Sequence, residues 1–239
     1  MACPAGIGQV YLKNMETEVV KAEFHCHSNY SFDSLVKVEQ LIQTCRAKGI
    51  GRVAITDHNC LTGALKAKSL APELVIIGEE IETTEGELIA YFMTEEVPSG
   101  LSPTETIRRL KVQGAFISIS HPFDALRNGH WTVPKLEAIV LDLDGMEVFN
   151  SRCLSASYNA KAAEFAKRHN LAGLVGSDAH SLKELGRSTL KLAPFNNADE
   201  LRQALRSAKQ ETIISSPFIH LVSTAAKVVK LVKSGSNQV

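Results

Sequence analysis

Imidazole and carboxylate side chains recur in this sequence in five short clusters, each following a run of apolar, often β-branched residues. The first is His25-Cys26-His27. If the run Val20 to Phe24 is a strand, its period of two turns both histidines to one face, where they can reach one ion, and turns Cys26 away. Taken alone, such a pair is matched by a bland alternative, two histidines in a solvated loop. Thr56-Asp57-His58 follows Arg52 to Ile55 and adds a carboxylate and an imidazole. Gly78-Glu79-Glu80 follows Val75 to Ile77, where a carboxylate leaving a buried strand is costly unless it meets a cation. Alternation directs Glu79 opposite to Glu80 and so to the surface. Ser120-His121-Pro122 and Ser177-Asp178-Ala179-His180 complete the set.

Five of the eight histidines fall in these clusters, whereas a surface residue such as His169 stands alone. Mixed imidazole and carboxylate donors suit zinc, iron or manganese, and a set of this size predicts two or three divalent ions. Sulfur is not needed: Cys26 faces away and Cys153 lies beyond a strand. A water shared between two such ions loses a proton near neutral pH, and the ions neutralise charge on phosphoryl oxygens, so phosphoester hydrolysis follows. The leaving alkoxide then needs a proton, to which His58 or His180 could contribute directly or as ligands. Arg127, Arg152 and Arg187, each just past a cluster or strand, are the candidates for a phosphate clamp. His130 and Trp131 could stack on a base or sugar; equally, Trp131 could cover the fold.

These donors need strands to position them. Short runs at Val20 to Phe24, Arg52 to Thr56, Leu74 to Ile77, Leu88 to Met93, Ala115 to Ser120, Gly145 to Phe149, Ala172 to Val175 and Thr212 to Ile214 alternate with helical patterns. That is the signature of βα units and a parallel sheet, an α/β fold whose ligands sit at the strands' C-terminal ends. Val38, Leu41, Ile42 and Cys45 mark a helix ending near Gly49; Leu201, Ala204, Leu205 and Ala208 mark another, and Tyr158, Ala162, Phe165 and Ala166 a third. A C-terminal amphipathic helix over residues 217–233 carries Phe218, Leu221, Val222, Ala225, Val229 and Val232. Its apolar side is expected to pack on the barrel, leaving Lys227, Lys230 and Lys233 on a solvated face.

At 239 residues, with 44% hydrophobic and 22% charged side chains, the chain reads as one globular domain, 1–239. Zero formal net charge offers no global field for nucleic acid or an anionic membrane, so no stable nucleic-acid complex is expected and anion binding must be local. Five unpaired cysteines, Cys3, Cys26, Cys45, Cys60 and Cys153, and no secretory signal point to a reducing cytoplasm. No segment reads as a membrane span. Met15 offers a second start of translation, in which case the first fourteen residues contribute little to the fold.

The ordered set His25-x-His27, Asp57-His58, Gly78-x-Glu80, Ser120-His121-Pro122 and Ser177-Asp178-Ala179-His180 resembles the polymerase and histidinol phosphatase (PHP) family. The likeness runs over about residues 23–186, and GEEIETTEGE, SHPFDALR, EVFNSR and GSDAHSLKELG look like stand-alone phosphoesterase members. The resemblance implies a distorted seven-stranded (β/α)7 TIM-like barrel with a di- or trinuclear centre of zinc, manganese or iron. It further implies that His25, His27, Glu80 and Asp178 hold one ion, that Glu80 bridges to a second held also by His121, and that His58, His180 and Asp33 hold a third. Asp57 would orient His58 or assist proton transfer. Asn150 stands where some members carry a cysteine or histidine ligand, and no histidine follows the Glu80 strand; Glu87 could replace it.

The implied substrate is a small phosphorylated molecule such as a nucleotide or sugar phosphate. Two other readings stay open: a metal-dependent amidohydrolase, since a binuclear site polarises a carbonyl as readily as a phosphoryl group, and a non-catalytic metal-binding PHP module.

Overall fold

The computed structural model describes residues 19–236; Cys3, Met15 and the side chain of Lys233 lie outside what is described. In chain order the elements are β1 (Val20–Cys26), α1 (Val38–Ala47), β2 (Arg52–Ile55), α2 (Thr62–Leu70), β3 (Val75–Glu82), β4 (Glu87–Tyr91), α3 (Pro103–Val112) and β5 (Phe116–Ile119). There follow α4 (Val133–Glu137), β6 (Gly145–Asn150), α5 (Ala156–Arg168), β7 (Ala172–Gly176), β8 (Ser188–Leu192), α6 (Ala198–Ala204), β9 (Lys209–Thr212) and α7 (Ile219–Ser236).

Local chemistry explains the helix ends. Val38, Leu41, Ile42 and Cys45 are the buried face of α1, and Gly49 beyond it adopts φ +64°, a left-handed conformation that glycine takes without steric cost. The α3 helix begins at a Ser-Pro-x-Glu sequence, where Ser102 accepts a hydrogen bond from the Glu105 amide at 3.3 Å and Pro103 occupies the first turn. Asn197 caps α6 by accepting from the Glu200 amide at 2.9 Å.

Seven strands form one sheet in the order β5-β4-β3-β2-β1-β8-β9, and β6 pairs with β7 in a second sheet. The main sheet curls into a half-barrel, and the small sheet stands along its open side. Two seams join them: the Asp144 amide donates to Ile117 O at 2.8 Å, and His27 and Ala179 exchange backbone bonds across β1 and the end of β7 (His27 N to Ala179 O, 2.9 Å; Ala179 N to His25 O, 3.2 Å).

The α/β class therefore holds, with departures from simple βα repetition. β4 runs antiparallel to β3 and β5, because only residues 83–86 separate β3 from β4, too few for a parallel crossover. Ser188–Leu192, not anticipated as a strand, pairs antiparallel with β1, and the last strand lies at Lys209–Thr212 where Thr212 to Ile214 was expected. Both strands are short and carry polar residues, β9 at the edge of the sheet, so they leave little hydrophobic pattern to read.

One core joins Phe24, Tyr91, Phe116, Val175 and Leu190; a second packs α1 and α2 through Leu41, Cys45, Ala64 and Ala67 against Val53, Ile55 and Val75. The C-terminal helix is turned about relative to expectation. Leu221, Val228 and Val232 are 65%, 55% and 67% exposed, whereas Ser223 and Ala226 are buried and the Lys230 ammonium reaches Asn29 O at 2.7 Å. Polar groups on the loop after β1 hold the helix there. Among the described residues no helix is long and apolar enough to cross a membrane.

Candidate metal centre

The C-terminal ends of β1, β2, β5 and β7, with the middle of β3, converge at one end of the curled sheet and bring all five clusters together. His25, His27, Glu80 and Asp178 are completely buried, and His121, His180 and Asp33 nearly so. As the alternation predicts, His25 and His27 share a face with Nε2 atoms 3.1 Å apart, while Cys26 faces the other way and donates to Ala54 O at 3.2 Å.

Four overlapping donor groups result: His25, His27 and Asp178; His25, Glu80 and His121; His27, Asp33, His58 and His180; and His58, Glu80 and Glu87. Glu80 stands at their centre with its oxygens divided. Oε2 lies 3.2 Å from His25 Nε2 and 3.2 Å from His58 Nδ1, whereas Oε1 lies 2.9 Å from His121 Nε2. Asp33 Oδ2 is 3.0 Å from His180 Nε2 and 3.5 Å from His58 Nε2. Glu87 Oε2 is 3.6 Å from His121 Nε2.

Two ligand-bearing residues sit on strained backbone: His121 at φ +25° and Asp178 at φ +51°, both in the left-handed region that L-residues avoid. The His121 amide is held by Glu147 Oε2 at 2.7 Å, which over-determines that conformation.

Electrostatics prepare the donors. Burial pulls the His27 pKa down, and neighbouring His180 and His58 pull it further than Asp178 restores it, to about 3, so its imidazole is neutral and free to coordinate. Burial also opposes charge on His58, but Glu80, Asp33 and Glu87 outweigh it and lift the pKa to about 9. Burial would raise Glu80 and Asp178; the imidazoles around Glu80, and Arg127 with His25 beside Asp178, hold both well below the usual carboxylate range. A buried carboxylate cluster kept ionised largely by imidazoles is one in which divalent cations can replace their protons.

The donor set fits a metal centre on one further observation. Asp178 Oδ1 is buried without a hydrogen-bond partner, directed at His27 Nε2 at 3.3 Å. Bare buried carboxylate oxygens are costly, and a cation at this point satisfies it.

Comparison with known proteins agrees with this geometry. The family model described as PHP-associated matches residues 156–209. An uncharacterized protein of Methanocaldococcus jannaschii is 34% identical over 221 residues, which is 91% of this chain and 84% of that protein. The chain belongs to the PHP family.

Solved structures place the PHP fold in context. A two-domain protein of Bacteroides vulgatus, described as containing a predicted PHP-like metal-dependent phosphoesterase, superposes with a TM-score of 0.66 at 22% identity, over 82% of this chain and 65% of that one. A lesion-specific endonuclease of Pyrococcus furiosus superposes at 0.57 and 18% identity, over 81% of this chain and 58% of its own. At such identities these likenesses concern the fold alone, and this PHP chain spans under two thirds of either protein.

Within the PHP centre several residues depart from the sequence expectation. Asp57 spends its carboxylate on Ser28, accepting from the amide at 2.6 Å and the hydroxyl at 2.5 Å and tying down the loop after His27, and burial lifts its pKa to about 6. Glu79 does oppose Glu80, but it is fully buried rather than on the surface. Arg187 is absent from the cavity wall; its guanidinium donates to Ile214 O at 2.5 Å. Trp131 is buried and donates to Glu87 O at 3.0 Å, so it covers the fold and fixes the backbone of Glu87.

Arg127 and Arg152 do line a cavity of about 480 Å³ that opens onto Asp33, His58 and His180. Arg127 donates to Asp178 Oδ2 at 2.5 Å. Arg152 donates to Ser223 at 2.8 Å on α7 and touches His180.

Sequence reasoning missed Glu147. On β6 it accepts from Asn150 Nδ2 at 2.9 Å and faces His25 Nδ1 at 3.1 Å, which turns the His25 Nε2 toward the donor cluster. Its signal was a lone carboxylate inside the apolar run of β6. Glu23 is a second such residue, accepting from the Ser177 and Gly186 amides at 3.0 Å each and so joining β1 to the end of β7 and the start of β8.

Proposed function

We propose that the protein is a metal-dependent phosphoesterase acting on small phosphorylated molecules such as nucleotides or sugar phosphates, with two or three manganese, zinc or iron ions. The single observation that carries the reading is the division of the Glu80 oxygens between His25 and His58 on one side and His121 on the other, the arrangement a carboxylate needs to bridge two ions. His25, His27, Asp178 and Glu80 would hold one ion; Glu80, His121 and Glu87 a second; Asp33, His58 and His180 a third. When bound, such ions supply an acidified water and neutralise charge on phosphoryl oxygens.

The chain's own residues do the rest. Glu147 and Arg127 orient His25 and Asp178, so the donors are set before substrate arrives. Arg127 and Arg152 offer guanidinium edges along the cavity wall, a planar fork suited to phosphate oxygens and not called for by an uncharged amide, which favours phosphoester over amide hydrolysis. His58 and His180 face the same cavity, where a departing alkoxide needs a proton, delivered directly or by a water they orient. Strands β1 to β7 would enclose this centre as a distorted seven-stranded barrel with two irregular seams.

The test is metal analysis after expression in medium supplemented with manganese, zinc and iron, followed by assay of an aryl phosphate and a bis-aryl phosphodiester. At least two bound equivalents and turnover of one ester are expected; a protein that retains no metal contradicts the proposal.

A further inference from the structure

Lys227 lies on α7, the element whose lysines were expected to face solvent. Its side chain is exposed, as expected, and also lines the cavity in front of Asp33, His58 and His180. Nζ is 3.9 Å from Asp33 Oδ2 and 4.9 Å from the centroid of the Phe32 ring, which is itself half-exposed at the cavity mouth.

The two arginines on that wall each spend part of the guanidinium on the protein. Arg127 is held by Asp178 and Asp124, and Arg152 by Ser223, with Glu184 3.6 Å from its Nε. Lys227 faces one carboxylate, beyond hydrogen-bond reach, and that same Asp33 oxygen lies 3.0 Å from His180 in one of the donor groups. An ion taken up by Asp33, His58 and His180 neutralises the carboxylate that pairs with Lys227 and leaves two positive centres side by side. Their mutual repulsion is relieved by an anionic oxygen placed between them.

The helix is fixed well enough to present this charge. The Lys230 ammonium donates to the carbonyls of Asn29 and Ser31, His220 Nε2 meets Arg152 O at 3.2 Å, and Ala226 is buried between these contacts.

We propose that Lys227 is a substrate-binding residue, supplying from the C-terminal helix the ammonium that holds a phosphoryl group of the substrate against the Asp33, His58 and His180 donors. The assignment rests on the phosphoesterase reading above and adds α7 to the substrate site.

The experiment uses the full chain loaded with manganese and compares wild type with Lys227→Gln, Lys227→Arg and Lys230→Ala. Binding of inorganic phosphate is measured by titration calorimetry, KM and kcat with an aryl phosphate, and metal content alongside. A charge-assisted contact is worth roughly tenfold in binding. Lys227→Gln is expected to raise the phosphate Kd and KM about tenfold with kcat within about twofold and metal content unchanged, and Lys227→Arg to restore most of the affinity. Lys230→Ala loosens the helix without removing the cavity charge, and its effect is expected to be smaller. Phosphate affinity in Lys227→Gln within twofold of wild type, or an equal loss in Lys230→Ala, overturns the assignment while leaving the phosphoesterase reading intact. Wild-type protein that holds metal but neither binds phosphate nor turns over an ester overturns both.

Discussion

Arg127 donates to Asp178 Oδ2 at 2.5 Å, and the opposite oxygen of that carboxylate is left bare toward His27. With Asn150 Nδ2, which donates to the same oxygen at 3.2 Å, this contact decides which oxygen is spent on the protein and which faces the donor cluster. Arg127 is thus more than a substrate clamp: it stands behind a proposed ligand.

Arg127→Lys keeps the charge but loses the planar fork. It is expected to weaken metal retention by about 10- to 100-fold, as loss of an outer-shell partner does elsewhere. Metal content after dialysis against graded chelator measures this; retention equal to wild type would show that Asp178 needs no such support.

His121→Ala and His25→Ala should differ. His121 is assigned to the second ion alone, whereas His25 is assigned to the first and also lies in the His25, Glu80 and His121 group beside the second, so the first variant is expected to lose about one metal equivalent and the second more, with turnover abolished in both and the far-UV circular dichroism retained. Equal stoichiometry in the two variants would argue against Glu80 as a bridge.

Glu79 supplies a pH prediction. Burial raises its pKa from 4.5 to about 8, offset only in part by the Val97 amide. A carboxyl raised on folding contributes stability that is complete below its unfolded pKa and is lost as pH rises through the folded value. Wild type is therefore expected to lose urea resistance between about pH 4.5 and pH 8, and Glu79→Gln, which cannot ionise, to lose less. Parallel loss in both proteins would mean that Glu79 is not the group responsible.

Metal removal should be felt in stability. Ions bound only by the folded state stabilise it by about 4 kcal/mol at a free concentration a thousand times Kd, on the order of 10 °C in Tm for a domain of this size. Differential scanning calorimetry with chelator, then with manganese restored, reads the shift. An unchanged Tm alongside confirmed binding would mean that the donors are equally satisfied by one another.

The parts of the molecule legible beforehand were those governed by local periodicity. Alternation along β1 and β3 places His25 with His27 and opposes Glu79 to Glu80, and helical spacing marks α1. The rest depended on partners distant in sequence. Glu147 meets His25 across 122 residues, and nothing within β6 announces it beyond a carboxylate among apolar neighbours. The family resemblance pairs Asp57 with His58, but its carboxylate accepts from Ser28, 29 residues earlier in the chain. The orientation of α7 differs from expectation because its apolar side does not seek the core; the carbonyls of the loop after β1, invisible in a hydrophobic pattern, attract Lys230 instead.

β1 lies in the middle of the main sheet, yet it takes its neighbours from opposite ends of the polypeptide: β2 soon after it, and β8 with the end of β7 only in the final quarter. A growing chain therefore carries His25 and His27 on a half-paired strand until Ala172–Leu192 has left the ribosome. Closing so long a loop is slow, so the candidate metal centre is completed late in synthesis, and a chain ending before β7 lacks Asp178 and His180.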